Sequence, residues 1–146
     1  MNSHRQSERG FSLIELLVVV VIIGIIAAIA IPFIARAKQP ANAASAISSM
    51  RLIHSSEVSY RTLYGRYTDI PTLGSAGCLD DGRLRNGQKS NYAFIATPDA
   101  DPVSNYEATA TPDYQPTTSQ YYFVNATGVI HTQSGAAATA TSPPLN

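Results

Sequence analysis

From Phe11 to Ile31 the chain is almost unbroken apolar sequence, and Glu15 is the only charged residue in it. As a helix rising about 1.5 Å per residue, this run spans about 31 Å, the thickness of a bilayer's hydrocarbon core. A carboxylate at mid-bilayer costs on the order of 3 kcal/mol, so an acid in such a run is presumed to have a function. Glu15 lies about one turn from Phe11, near the interface, where the helix N-terminus favours negative charge. A plain membrane anchor with Glu15 snorkelling to the headgroups is the simpler alternative. A secretory signal peptide fits less well, because no small-residue A-x-A site follows a short apolar run.

The residues Gly10-Phe11-Ser12-Leu13-Ile14-Glu15-Leu16, followed by Ile22-Ile23-Gly24-Ile25-Ile26-Ala27-Ala28-Ile29-Ala30-Ile31-Pro32, resemble the N-terminus of type IV pilins and of the pseudopilins of type II secretion. The resemblance implies cleavage by a prepilin peptidase between Gly10 and Phe11, and N-methylation of the new Phe11 amino group. It also implies that Glu15 meets the Phe11 amino group of a neighbouring subunit during assembly. The physics agrees, since opposite charges stranded in lipid gain by pairing. In related filaments the segment between such a glycine and proline unwinds, which here means Gly24 to Pro32. Pro32 lacks a backbone donor and its ring crowds the carbonyl of Ala28, so a kink or loosened turn is expected there. Ala27, Ala28 and Ala30 leave room for close helix approach, which suits a bundle of copies.

Lys plus Arg and Asp plus Glu both number 10, so nothing points to electrostatic capture of nucleic acid. Loss of residues 1–10 removes Arg5, Glu8 and Arg9 and leaves a nearly neutral chain. Arg5 and Arg9 before the apolar run are balanced by Arg36 and Lys38 after it, so charge alone does not orient it. The resemblance places the leader in the cytoplasm and the remainder outside the bacterial inner membrane, then in an extracellular filament. Cys78 is the single cysteine, so no intrachain disulfide can form. That departs from the many pilins in which two cysteines staple the C-terminal region.

Beyond the apolar run, Pro40 is a further breaker, with a kink or restart expected near Asn42 or Ser45. Residues 43–64 read as an amphipathic helix, with Ile47, Met50, Ile53, Val58, Tyr60 and Tyr64 on one arc. His54, Glu57 and Arg61 share that arc at i, i+3 and i+4 spacings and read as a surface ion-pair row. Residues 65–89 are glycine-rich and read as a loop. Its adjacent Asp80 and Asp81 invite a calcium reading, but two acids without a third placed oxygen donor carry it weakly. Short β-forming runs follow at 90–97, 105–111, 120–125 and 129–132, the last two flanking the turn Ala126-Thr127-Gly128. Asn125-Ala126-Thr127 fits a glycosylation sequon, although the turn explains these residues better. The Ala-, Ser- and Thr-rich end, closing on Pro143-Pro144, reads as a flexible tail or a strand-edge cover.

The predicted fold is α+β and pilin-like: a long N-terminal helix packed on a three- to four-stranded antiparallel sheet. The expected division is a leader (1–10), a membrane or filament-core helix (11–35), an amphipathic helix (36–64), a connecting loop (65–89), a sheet (90–132) and a tail (133–146). No nucleophile sits beside a histidine and an acid, no phosphate loop appears, and His4, His54 and His131 are scattered. The expectation is therefore a structural subunit, not an enzyme, with neither cofactor nor metal. The resemblance implies as partners copies of itself, the prepilin peptidase, an inner-membrane assembly platform with minor pilins, and the membrane, but no nucleic acid. A pseudopilin building a short periplasmic filament is the nearest alternative. An electron-conducting filament and a tethered binding domain that never polymerises are the others; aromatics at 8% give no continuous stack by themselves.

Overall fold

The computed structural model describes residues 11–113 and 118–145, with the backbone alone at 35 and 36. Helix α1 runs from Leu13 to Tyr64. Its first part is rich in Leu, Val, Ile and Ala, and its second part carries small and apolar residues at spacings of three and four. Both Pro32 and Pro40 lie inside α1, and residues 41–45 are helical. The restart expected after Pro40 is absent: proline removes one hydrogen bond, and flanking turns carry the helix past it. α1 stops at Gly65, which takes φ +75° and donates its N–H to the Arg61 carbonyl at 2.8 Å. A residue with a Cβ is disfavoured in that left-handed conformation, so the glycine is the stop signal.

By its internal contacts the chain divides into Met1–Lys38 and Gln39–Asn146. In the first unit the large apolar side chains from Leu13 to Ile34 stand 44–84% exposed.

The second unit holds the sheet. Its five strands are β1 (Gln88–Lys89), β2 (Tyr92–Pro98), β3 (Tyr106–Pro112), β4 (Gln120–Asn125) and β5 (His131–Ser134), all antiparallel and adjacent in sequence order. This is the expected α+β architecture with one strand more than the three or four expected. The addition is β1, which pairs through Lys89↔Tyr92 across Ser90 and Asn91, both at positive φ. Two positive φ values at the centre of a two-residue turn are the geometry that matches strand twist. Residues 65–89, expected to be loop, also contain two short helices, α2 (Ile70–Ser75) and α3 (Gly82–Arg85). Each is started by an aspartate cap: Asp69 accepts from the Thr72 amide, and Asp81 from those of Arg83 and Leu84.

Alternation along the strands sends Tyr92, Phe94 and Ala96, Tyr106, Ala108 and Ala110, and Tyr122 and Val124 to one face. Onto that core pack Ala46, Met50, Ile53 and Tyr60 of α1, and Leu73, Leu79 and Leu84 from the connecting segment. The central strand β3 presents alanines at two of its inward positions, leaving room for long side chains from the helix. β5 begins two residues later than the alternation predicts, because Ile130 turns inward before the strand starts. Residues 142–145 return along β5: Thr132 donates to the Pro143 carbonyl, Leu145 to that of Ile130, and His131 Nδ1 pairs with the Ser142 carbonyl at 2.6 Å. The end of the chain therefore lines the sheet edge.

Met50 is fully buried, whereas Leu63 is 70% exposed. Met50→Ala is expected to cost about 2–5 kcal/mol, and Leu63→Ala no more than about 0.5 kcal/mol. Denaturant titration of the full chain in micelles checks both; equal losses would mean that the core is elsewhere.

Candidate functional site

Phe11 and Ser12 precede α1, and Phe11 is 75% exposed. The Ser12 carbonyl accepts from the amides of Glu15 (3.0 Å) and Leu16 (3.2 Å), closing the first turn. Glu15 is the acid of that turn, where the unpaired amides of a helix start favour negative charge. Gly10, and with it the Gly10–Phe11 bond, lies outside the described residues, as does the whole leader. At Gly24 an added Cβ would meet nothing within 4 Å. Packing within this chain therefore does not demand glycine there, and its effect is to lower local helix stability by about 1 kcal/mol relative to alanine. Pro32 borders a shallow apolar recess on α1 with Ile26, Ile29, Ala30 and Phe33. A helix apolar on every side, headed by one carboxylate, is stable in lipid or among other apolar helices and not in water.

The row His54, Glu57 and Arg61 is not the surface ion-pair row its spacing suggests. The buried stripe of α1 runs Ala46, Met50, Ile53, Glu57, Tyr60, while Val58 and Tyr64 are 44% and 56% exposed. The sheet covers part of the expected arc, and Glu57, which lies on that arc between Ile53 and Tyr60, falls in the covered part. Its Oε2 accepts from the Thr68 amide at 3.1 Å, and its Oε1 is buried with no hydrogen-bond partner. Burial pushes the carboxyl up to about 7, the Thr68 bond opposes this, and Asp69 nearby adds to it. His54 pairs through Nδ1 with the Tyr106 hydroxyl at 2.8 Å, and burial lowers its pKa. Arg61 lies over the Tyr67 ring at 5.2 Å and donates to its hydroxyl. The periodicity alone could not separate an inward from an outward Glu57; only the sheet's placement does so.

Asp81 caps α3 and also meets Lys89 Nζ at 2.7 Å, and these contacts hold its carboxyl below the usual range. Asp80 points to Arg85 at 3.4 Å. A cation at this pair would have to displace Lys89, and among the described residues no group of three or more His, Cys, Asp or Glu could hold a metal. Cys78 is partly buried against the core. Asn125 Oδ1 accepts from the amide and hydroxyl of Thr127, so the sequon's asparagine shapes a turn. Ring contacts among the described residues fall into separate groups, such as Tyr60–Tyr64, Tyr67–Tyr106 and Tyr92–Tyr122. Among the described residues they form no continuous stack.

Residues 5–31 match the family model described as the prokaryotic N-terminal methylation motif. Over 66 residues, 42% of this chain, the sequence is 44% identical to the type IV major pilin protein PilA of Myxococcus xanthus, covering 28% of that protein. Over 98 residues, 67% of this chain, it is 29% identical to the type II secretion system core protein G of Klebsiella michiganensis, covering 57% of that protein. The chain thus spans less than two thirds of the length of either relative. No solved structure shows a significant match.

Gly128 has φ +77°, and a Cβ there would stand 2.8 Å from His54 Nε2. Gly128→Ala is expected to cost more than the roughly 1–2 kcal/mol of left-handed strain alone. In a His54→Ala background the added alanine should cost less. A double-mutant cycle by thermal unfolding measures the difference, and strict additivity would show that the ring does not limit this turn.

Proposed function

We propose that this chain is the structural subunit of a type IV pilus-like filament. It is made as a precursor in the bacterial inner membrane, with the leader cytoplasmic and the remainder periplasmic. Prepilin peptidase cuts between Gly10 and Phe11, and Phe11 is N-methylated. The observation that carries this reading is the uncovered apolar part of α1, headed by the single carboxylate of Glu15. A helix of this kind leaves the bilayer only for an equally apolar site, and other copies of itself supply one. Glu15 then pairs with the Phe11 amino group of a neighbouring subunit, which relieves two charges at once. Repeating that contact head to tail gives a helical polymer that does not close.

On this reading Gly24 and Pro32 bracket a stretch of α1 that loosens when subunits pack. The sheet unit faces outward and determines what the filament touches. The assembly platform and minor pilins act on the N-terminal segment, and the chain performs no catalysis. A second reading, a pseudopilin of a short periplasmic filament, is favoured by the length of the match to core protein G, which covers 67% of this chain. Both readings share the N-terminal chemistry and differ in where the filament ends.

Mass spectrometry of filaments sheared from cells is expected to show a peptide beginning with methylated Phe11. The processed chain confined to membranes would favour the pseudopilin, and a chain still starting at Met1 would overturn both readings. Glu15→Ala should leave membrane insertion intact and reduce assembly at least tenfold, since it removes one partner of a low-dielectric ion pair. Normal filament yield from this variant would leave Glu15 without the proposed role.

A further inference from the structure

The buried carboxyl of Glu57 has no part in the assembly chemistry above, and its surroundings join three elements. From α1 come Glu57 itself, fully buried, with His54 and Arg61 one turn to either side. From the connecting segment come Tyr67, Thr68 and Asp69; from β3 comes Tyr106, also fully buried. The segment is held here by Tyr67, which is buried in the core, and by two backbone donors. Thr68 N–H donates to Glu57 Oε2, Tyr67 N–H to the Pro102 carbonyl at 2.7 Å, and the Tyr67 ring lies 4.9 Å from that of Tyr106, below the Arg61 guanidinium.

We propose that Glu57 is a proton-dependent latch: its neutral carboxyl holds residues 66–69 against α1 and β3, and its ionisation releases them. The groups facing it leave a charge there poorly compensated. His54 is tied to the Tyr106 hydroxyl, Arg61 is engaged by Tyr67, and Asp69 adds a like charge. Oε1 has no donor to receive if it becomes charged. Ionisation strengthens the single Thr68 bond, but a buried charge with one donor gains more from water, which reaches it when the segment lifts.

The sign follows from the carboxyl's two environments. Released and solvated it ionises near 4.5; latched it ionises near 7. Between these values the latched form keeps a proton that the released form sheds. The stability of the latch is complete below about 4.5 and is lost as pH rises towards 7.

Amide hydrogen exchange on the full chain in micelles, corrected for intrinsic rates, tests this. Protection of Thr68 is expected to fall about tenfold per pH unit between 5.5 and 7, while the inward-facing residues of β3 keep theirs. Glu57→Gln retains a carbonyl for the Thr68 amide and cannot ionise, so its protection should not change with pH. An equal fall in Glu57→Gln, or a parallel loss across β3, would overturn the latch. Should that variant not fold, the Glu57 carboxyl carbon can be titrated by NMR in the native chain. A midpoint near 7 alongside loss of Thr68 protection supports the proposal, and one near 4.5 overturns it. The inference rests on the fold alone and stands whether or not the chain forms filaments.

Discussion

The sheet unit depends on one surface, the stripe Ala46, Met50, Ile53, Glu57 and Tyr60 of α1 seated on the inner face of the strands. A meander with short strands and few long apolar side chains cannot bury enough surface by itself. The helix supplies what the sheet lacks, and the alanines of β3 give it room. The connecting segment then closes one side of that core with Leu73, Leu79 and Leu84. The Asp69 and Asp81 caps start the two helices that carry Leu73 and Leu84.

The same helix has an opposite problem in its first part. There the apolar side chains face outward on all sides, and at about 25 cal/mol per Å² their exposure to water is untenable. The chain as described is therefore half of an interaction. An apolar environment, lipid or other apolar helices, has to complete it.

Polar groups in the core are few, and most are paired: Ser45 with Ser90, His54 with Tyr106, and Tyr92 with the Gln120 carbonyl. Among the described residues two buried polar atoms lack a partner, Ser49 Oγ and Glu57 Oε1, and only the second belongs to a group that can carry charge. A half-satisfied buried carboxyl is an expensive way to fill a helix position. Its cost falls when the group is neutral, which ties the local packing of residues 66–69 to solution pH.

Sequence alone was enough for the features that rest on local chemistry. The apolar run of 11–31, its lone acid, the α+β order and the alternation of β2, β3 and β4 are properties of neighbouring residues, so their periodicity shows them directly. Tertiary structure decided the rest. Which way Glu57 points depends on where the sheet sits, since buried Ile53 and Tyr60 and exposed Val58 share its arc. β1 was missed because two residues carry no periodicity and its Ser90-Asn91 turn lacks the usual glycine. The tail's return along β5 needed the strand edge to exist before Pro143 and Leu145 could pair with it. Local patterns specify what each segment can bury; only the assembled core determines which groups it buries.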